Sequence, residues 1–253
     1  MSFVQEDMNS SRLMNSNKRF VFAVSAIVLV FNLSFSAFSD KISDYEFEKG
    51  ESNLYVGNRS AKNCIAITFD DGPHPVYTRQ ILDILEKYDA KATFFMIGQN
   101  AEKYKDIVKD VHLKGHEIGN HTYTHPDLRK ISASSFLDEI EKTKNLIEEI
   151  TGESPKLFRP PGGYLNNDIV NILQNQQETA VLWSWRQDTR DWECPASEYI
   201  VASVIKNLKD GDIILFHDFN CKNSPTPEAL EKILSELSQK GYNFVTVSEL
   251  MSM

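Results

Sequence analysis

From Cys64 onward, short and mostly apolar runs alternate with longer stretches in which apolar residues recur at helical spacing. The short runs predict strands over Ile65 to Phe69, Thr93 to Ile97, Glu117 to Gly119, Lys156 to Phe158, Ala180 to Trp183, Ile213 to Phe216 and Phe244 to Val247. The longer stretches predict helices over Thr78 to Tyr88, Ala101 to Lys114, Ser134 to Ile150, Ser197 to Leu208 and Thr226 to Lys240. This alternation is typical of repeated β-α units around a parallel sheet or barrel, so we expect one α/β domain over residues 64–253.

The N-terminal segment follows a different pattern. Lys18 and Arg19 precede an apolar run from Phe20 to Phe31, which is interrupted only by one serine, and a Ser- and Ala-rich stretch follows. That order is typical of an export signal. We therefore expect residues 1–39 to be a signal peptide or an uncleaved signal anchor, and residues 40–63 to be a tether. The domain would then be secreted or held at the extracytoplasmic face of the membrane.

Charge and cysteine content narrow the classes of function. The formal net charge of -9 disfavours binding to a phosphate backbone, which requires a basic surface, so nucleic acid is excluded as a partner. Three cysteines are too few for a disulfide scaffold, and they lack the C-x-x-C spacing of a zinc knuckle. The composition, 41% hydrophobic and 25% charged, is that of a folded globular protein.

Polar residues follow several of the predicted strands. Asp70 and Asp71 come directly after the first strand, His121 shortly after the third, Arg159 after the fourth and His217 after the sixth. In parallel barrels the carboxyl ends of the strands share one face, and the chemistry sits there. We therefore expect these side chains to converge.

Two histidines, His121 and His125, have the four-residue spacing by which zinc enzymes supply two ligands from one turn. A catalytic zinc commonly takes three protein ligands and leaves a position for water, and Asp71 is the obvious third ligand. Asp70 would then be available as a base. The same two carboxylates could instead cap the turn that follows them, so this pattern alone leaves both interpretations open.

Three further segments carry polar or aromatic residues. The run Phe158 to Tyr164 contains two prolines and then two glycines, which fix the chain and then allow a backbone N–H to approach a ligand. Trp192 lies beside acidic residues and suits stacking on a sugar ring, although core packing is the more common use of a tryptophan. His217 could protonate a leaving group while a nearby carboxylate holds it charged.

These segments, in this order, resemble the five signature motifs of the polysaccharide deacetylase family, carbohydrate esterase family four. The segments are Thr68 to Pro73, His121 to His125, Phe158 to Tyr164, Asp188 to Trp192 and Ile213 to Asp218. The resemblance extends roughly from Cys64 to Leu250. It implies an irregular (β/α)7 barrel that hydrolyses acetyl groups from a polysaccharide with a divalent metal.

The resemblance also implies a role for individual residues. Asp70 would be the base, and Arg159 would brace it. His217 would be the general acid, and Asp191 would be the carboxylate that tunes it. The metal ligands would be Asp71, His121 and His125. The apolar walls of the acetyl pocket would be Trp192 and Leu215.

One position departs from the family pattern, because Gly162 stands where an aromatic residue is common. Its N–H can still act as an oxyanion donor, but the aromatic wall for the sugar is then missing or supplied by Tyr164. Cys194 and Cys221 each follow a motif closely, and we hypothesise that they form a disulfide.

The expected activity is de-N-acetylation of an N-acetylglucosamine polymer, with peptidoglycan as the expected substrate and chitin oligomers as a further one. Zn²⁺ is the expected metal, with Co²⁺ or another divalent ion as alternatives. Two other functions stay open. The same residues could remove O-acetyl groups from xylan, or the chain could be an inactive cell-wall-binding module. The last function predicts erosion of the motifs, and none is seen.

Overall fold

The computed structural model describes residues 54–218 and 221–253. The predicted signal segment and residues 40–53 of the predicted tether lie outside the described residues. Within the described part of the chain, no helix combines the length and the apolar character needed to cross a bilayer.

The strands form one parallel sheet that confirms the predicted α/β barrel. In chain order they are β1 Leu54–Tyr55, β2 Cys64–Asp70, β3 Ala92–Met96, β4 Glu117–Asn120, β5 Leu157–Phe158, β6 Thr179–Val181, β7 Ile213–His217 and β8 Asn243–Val245. Their order in the sheet is β1-β6-β5-β4-β3-β2-β7, and β8 pairs with β2. All seven strands predicted from the apolar runs are present, and β1 was not predicted.

An irregular segment closes the barrel between β6 and β7. Ser184 donates its N–H to the carbonyl of Ile213 at 3.0 Å, and Leu215 donates to the carbonyl of Gln187 at 2.9 Å. Asp188 and Leu215 also form an isolated parallel bridge. Because β7 pairs on its other side with β2, these bonds complete the ring of strands.

The helices cover the sheet. They are α1 Tyr77–Lys87, α2 Gly98–Lys103, α3 Lys105–Leu113, α4 Ala133–Thr151, α5 Asn167–Asn175, α6 Ser197–Asn207, α7 Thr226–Gln239 and α8 Val247–Met251. The helix predicted over Ala101 to Lys114 is two helices, because Tyr104 adopts a non-helical backbone between them. The last predicted strand ends early because Thr246 and Glu249 form a capping box that begins α8.

Residues 54–63 are not a tether. Leu54 and Tyr55 pair with Ala180 and Val181 of β6, and the Asn58 N–H donates to the carbonyl of Gly211 at 2.9 Å. The prediction was wrong here because a strand of two residues is too short to show a period in the sequence. The described domain therefore includes these residues.

The largest apolar cluster fixes the strands that carry the polar residues. Phe69 of β2 stacks on Phe94 of β3, with ring centroids 4.9 Å apart, and lies 5.8 Å from the ring of Phe216 of β7. All three side chains are fully buried, and burial of each contributes about 1.5–3 kcal/mol to stability. The carboxyl ends of β2, β3 and β7 are therefore held in a fixed relation.

Candidate active site

The predicted convergence of polar residues at the strand ends is observed. Asp70 ends β2 and is paired in register with His217, which ends β7. Asn120, which precedes His121, is paired in register with Phe158, which precedes Arg159. The site is thus built on backbone hydrogen bonds of the sheet, with its variable parts in the loops that follow.

Three donor atoms suited to a metal ion lie together. The Asp71 Oδ1 atom is 3.5 Å from His121 Nε2 and 3.4 Å from His125 Nε2. One ligand atom from each of the three residues falls within 4.8 Å of the others. His121 is buried, whereas His125 is partly exposed. The site therefore has one wall inside the barrel and one side open to solvent.

The protonation pattern of this cluster fits a cation. His121 Nδ1 lies 2.6 Å from the carbonyl oxygen of Arg159, which can only accept, so Nδ1 carries the hydrogen. When the ring is neutral, the lone pair of Nε2 then faces Asp71 Oδ1, a buried atom 3.5 Å away that has no hydrogen bond to the described residues. Electron-rich atoms that face a common point are stabilised by a positive charge between them. The donor set, two imidazoles and a carboxylate, suits Zn²⁺ or a similar divalent ion.

The pKa values in the cluster indicate a competition between a proton and a metal. Burial alone would lower the pKa of His121, but the carboxylates of Asp70 and Asp71 outweigh it and raise this pKa. Burial would raise the pKa of Asp71, but His121 outweighs it and the pKa falls. Burial and the neighbouring His121 lower the pKa of His125. A metal must therefore displace a proton from His121 at low pH.

Asp70 is held by a hydrogen bond at one oxygen and faces the metal-ligand cluster with the other. Arg159 donates from Nη1 to Asp70 Oδ1 at 2.8 Å and to Thr68 Oγ1 at 2.7 Å. The other oxygen, Asp70 Oδ2, lies 3.8 Å from His121 Nε2 and so faces the cluster. Arg159 is fully buried, with its guanidinium carbon 4.1 Å from the centre of the Phe95 ring. A buried ion pair of this geometry fixes the orientation of the Asp70 carboxylate.

The second polar pair is His217 and Asp191. His217 Nδ1 lies 2.7 Å from Asp191 Oδ1, and the His217 N–H donates to Asp191 Oδ2 at 2.9 Å. Thr226 also donates its hydroxyl to Oδ2. Burial would lower the pKa of His217, but the bond to Asp191 outweighs it and raises this pKa to about 9. His217 therefore carries a proton at neutral pH.

The residue pattern alone left open which carboxylate would hold His217, whereas the family resemblance implied Asp191, and Asp191 is the carboxylate that contacts His217 in the structure. Asp218, the sequence neighbour, is buried elsewhere and accepts a hydrogen bond from the Thr78 hydroxyl. Burial raises the pKa of Asp218 to about 7. Thr226 and Asp218 were not predicted to have these contacts, because both depend on tertiary packing that no sequence spacing reveals.

The predicted pocket residues lie close in the chain to the proposed catalytic groups. Gly162 is exposed in a 3-10 turn directly after Pro160, with φ of 62°, and a Cβ there would meet nothing within 4 Å. Trp192 lies in the 3-10 turn with Asp191 and is half exposed. Leu215 is buried in β7, two residues before His217, so the two side chains leave the strand on the same face. Tyr164 is partly buried against an apolar cluster.

Cys194 and Cys221 form the hypothesised disulfide, with Cα atoms 6.6 Å apart. It links the turn that carries Asp191 to the segment that leads into Thr226. Cys64, the third cysteine, is buried and unpaired.

The chain is similar to known deacetylases and esterases. A family model described as polysaccharide deacetylase matches residues 57–181. A peptidoglycan-N-acetylglucosamine deacetylase of Bacillus cereus is 50% identical over 190 residues, which is 75% of this chain and 89% of the relative. A solved peptidoglycan N-acetylglucosamine deacetylase, in complex with 4-naphthalen-1-yl-N-oxidanyl-benzamide, has a TM-score of 0.74 at 35% identity, covering 79% of this chain and 92% of its own.

A family 4 acetyl xylan esterase from Clostridium thermocellum, solved with a cobalt ion, has a TM-score of 0.69 at 37% identity. The match covers 75% of this chain and 90% of the esterase. The resemblance drawn from the five motifs is thereby confirmed. This chain belongs to the polysaccharide deacetylase family, carbohydrate esterase family 4, and is a deacetylating hydrolase.

Proposed function

We propose that this protein removes N-acetyl groups from the N-acetylglucosamine residues of peptidoglycan with the help of a divalent metal, for which zinc is the expected ion. The observation that carries the proposal is the grouping of Asp71, His121 and His125 around one point, with the free oxygen of Asp70 beside it. The ligands would be these three residues. When bound, the ion would polarise the acetyl carbonyl and lower the pKa of water to about 7.

Asp70 is the base. Its Oδ2 atom, which faces the metal ligands, takes a proton from the water that attacks the acetyl carbon. Arg159 and Thr68 hold the carboxylate in one orientation, so the base does not have to reorganise during the reaction. The N–H of Gly162 is the proposed donor to the oxyanion.

His217 is the acid. Its Nδ1 atom is bound to Asp191, and Nε2 is the proposed proton donor to the substrate. As the carbon–nitrogen bond breaks, His217 gives its proton to the departing amine, and the products are acetate and a free amino sugar. Asp191 keeps the imidazole charged and oriented until that step. Leu215 and Trp192 would line the acetyl pocket, and Tyr164 would contact the sugar.

The choice of peptidoglycan rests on the relatives. The Bacillus cereus relative named for peptidoglycan N-acetylglucosamine is 50% identical and aligns over 89% of its own length. A substrate in the cell wall implies action outside the cytoplasmic membrane. The predicted export signal agrees with that location, and an uncleaved segment would hold the domain at the membrane surface.

O-deacetylation of xylan is the second candidate. The family 4 acetyl xylan esterase is 37% identical to this chain over most of both proteins, so the fold and catalytic groups serve either acetyl linkage. The inactive wall-binding module is the less supported alternative, because each proposed catalytic position holds a residue able to perform its step.

Acetate release by the purified protein tests the proposal. Peptidoglycan, chitin oligomers and acetylated xylan are assayed in parallel, with chelator and then with added Zn²⁺ or Co²⁺. We expect release from peptidoglycan that stops with chelator and returns with metal. Release from xylan alone would favour the esterase. Absence of release from all three polymers by a metal-loaded protein would favour the binding module.

A further inference from the structure

A four-residue segment, Ile97 to Asn100, lies between the two loops that carry the proposed metal ligands. It joins the end of β3 to the first residues of α2. On one side it contacts the loop that follows β2. The Ile97 N–H donates to the carbonyl of Gly72 at 3.0 Å, and the Asn100 side-chain amide donates to the carbonyl of Asp71 at 2.7 Å.

On its other side the same segment contacts the loop that follows β4. The Gly98 N–H donates to the carbonyl of Thr122 at 2.9 Å, and the Gln99 N–H donates to the carbonyl of Tyr123 at 3.0 Å. These two acceptors lie between His121 and His125 in the chain. One short segment therefore sets the distance between the loop of Asp71 and the loop of the two histidines.

The packing around this segment leaves little room for movement. A Cβ atom on Gly98 would lie 2.4 Å from Cδ2 of Tyr123 and 2.5 Å from Oγ1 of Thr143. Such distances are far below an ordinary contact, so the side chains of Tyr123 and Thr143 leave no room for a side chain at Gly98. The four hydrogen bonds consequently act on rigid partners.

Asn100 differs from the other three residues because it donates from its side chain. Its acceptor, the carbonyl of Asp71, belongs to a residue with φ of 75°, which is a left-handed conformation that residues other than glycine rarely adopt. Such conformations persist only where the surroundings hold them. The Asn100 side chain makes no other hydrogen bond to the described residues, so the contact with Asp71 is its only directional one.

We propose that Asn100 is a positioning residue for the metal site: its amide holds the backbone of Asp71 so that Oδ1 faces both histidines. The inference rests on the proposed function, in which Asp71 is a ligand. Asn100 does not reach the metal or the substrate. Its effect would therefore appear in metal affinity first, and in turnover only when metal is limiting.

Metal affinity measured by competition with a coloured chelator tests this role. Zn²⁺ and Co²⁺ are titrated into the wild type and into Asn100→Ala, which removes the donor. Asn100→Asp keeps the size of the side chain but places an acceptor against the Asp71 carbonyl. We expect about tenfold weaker binding in both variants, the lower end of the loss typical for groups that orient a ligand. Asn171→Ala, at an exposed position of α5, is the matched control and should bind metal as the wild type does.

Turnover separates positioning from folding. We expect kcat of both Asn100 variants to return towards the wild-type value at saturating metal. A loss that metal does not restore would assign Asn100 to folding and overturn the inference, as would dissociation constants within about threefold of wild type. If Asn100→Ala does not fold, as judged by circular dichroism, Asn100→Asp decides. A wild type that binds neither metal would contradict the proposed function itself, whereas wild-type-like binding by the variants would overturn only the role of Asn100.

Discussion

The site has two halves, an acid half around His217 and a metal half around Asp71, and their polar atoms are satisfied in different ways. Around His217, the carboxylate of Asp191 receives the ring N–H, a backbone N–H and the Thr226 hydroxyl, so this half is satisfied by the protein alone. Around Asp71, a buried oxygen with no hydrogen bond to the described residues lies 3.5 Å and 3.4 Å from the Nε2 atoms of His121 and His125. The acid half is therefore preorganised, whereas the metal half, on the proposed function, is completed by a divalent cation. Changes that affect one half should leave the other intact.

The largest expected effects come from two substitutions in the metal half, one at a proposed ligand and one at the proposed base. His121→Ala removes a proposed ligand, and Asp70→Asn removes the proposed base but keeps every proposed ligand. We expect Asp70→Asn to lower kcat by about 10²–10⁴-fold with metal content unchanged, because that is the usual contribution of a general base. His121→Ala should lose both metal and activity. Metal content is measured by elemental analysis after dialysis, and full occupancy in His121→Ala would contradict the ligand assignment.

A smaller effect is expected from Asp191→Asn, which changes the acid half alone. The raised pKa of His217 means that the proton is present at neutral pH and is lost as pH rises towards about 9. A bound cation would lower the pKa of His217, so the alkaline limb of kcat should lie no higher than about pH 9. In Asp191→Asn we expect this limb to move down towards the ordinary histidine value of about 6.5. Metal affinity should stay the same, and an unmoved limb would remove Asp191 from this role.

The sign of the stability change follows from the same pKa. A histidine whose pKa is raised on folding contributes stability below its unfolded pKa, and this contribution is lost as pH rises through the folded value. The wild type should therefore lose this stabilisation between about pH 6.5 and 9. In Asp191→Asn the loss should be absent from that window, which thermal unfolding at several pH values would detect.

The smallest expected effect comes from Thr226→Val, which removes one of the hydrogen bonds on Asp191 and keeps the volume of the side chain. One such bond to a charged group is worth about 1.5–3 kcal/mol, part of which should appear as a kcat lower by about three- to tenfold. The alkaline limb should move down slightly. Thr226→Ser keeps the hydroxyl and should restore both values, and equal behaviour of the two variants would mean that the hydroxyl has no part in the acid half.

The sequence was sufficient to predict the elements whose signal is local. The run from Cys64 to Phe69 is mostly apolar and is followed by two aspartates, and that contrast predicted both β2 and the site at its end. By comparison, β1 has only two residues and shows no period. The apolar residues of α5 do recur at helical spacing, but this nine-residue helix was not predicted. The described contacts of Asn100, Thr226 and Asp218 join distant parts of the chain, and only the folded sheet brings these residues to their partners.

The burial of Cys64 helps to determine which two of the three cysteines form the disulfide. Three cysteines allow three different pairings, and only the pairing of Cys194 with Cys221 joins the two segments that surround His217. Once β2 has entered the sheet, the thiol of Cys64 is shielded from oxidants and from the other two sulfurs. A chain oxidised before β2 is in place has no such protection. In the folded chain, the burial of Cys64 leaves Cys194 and Cys221 as the two cysteines that pair.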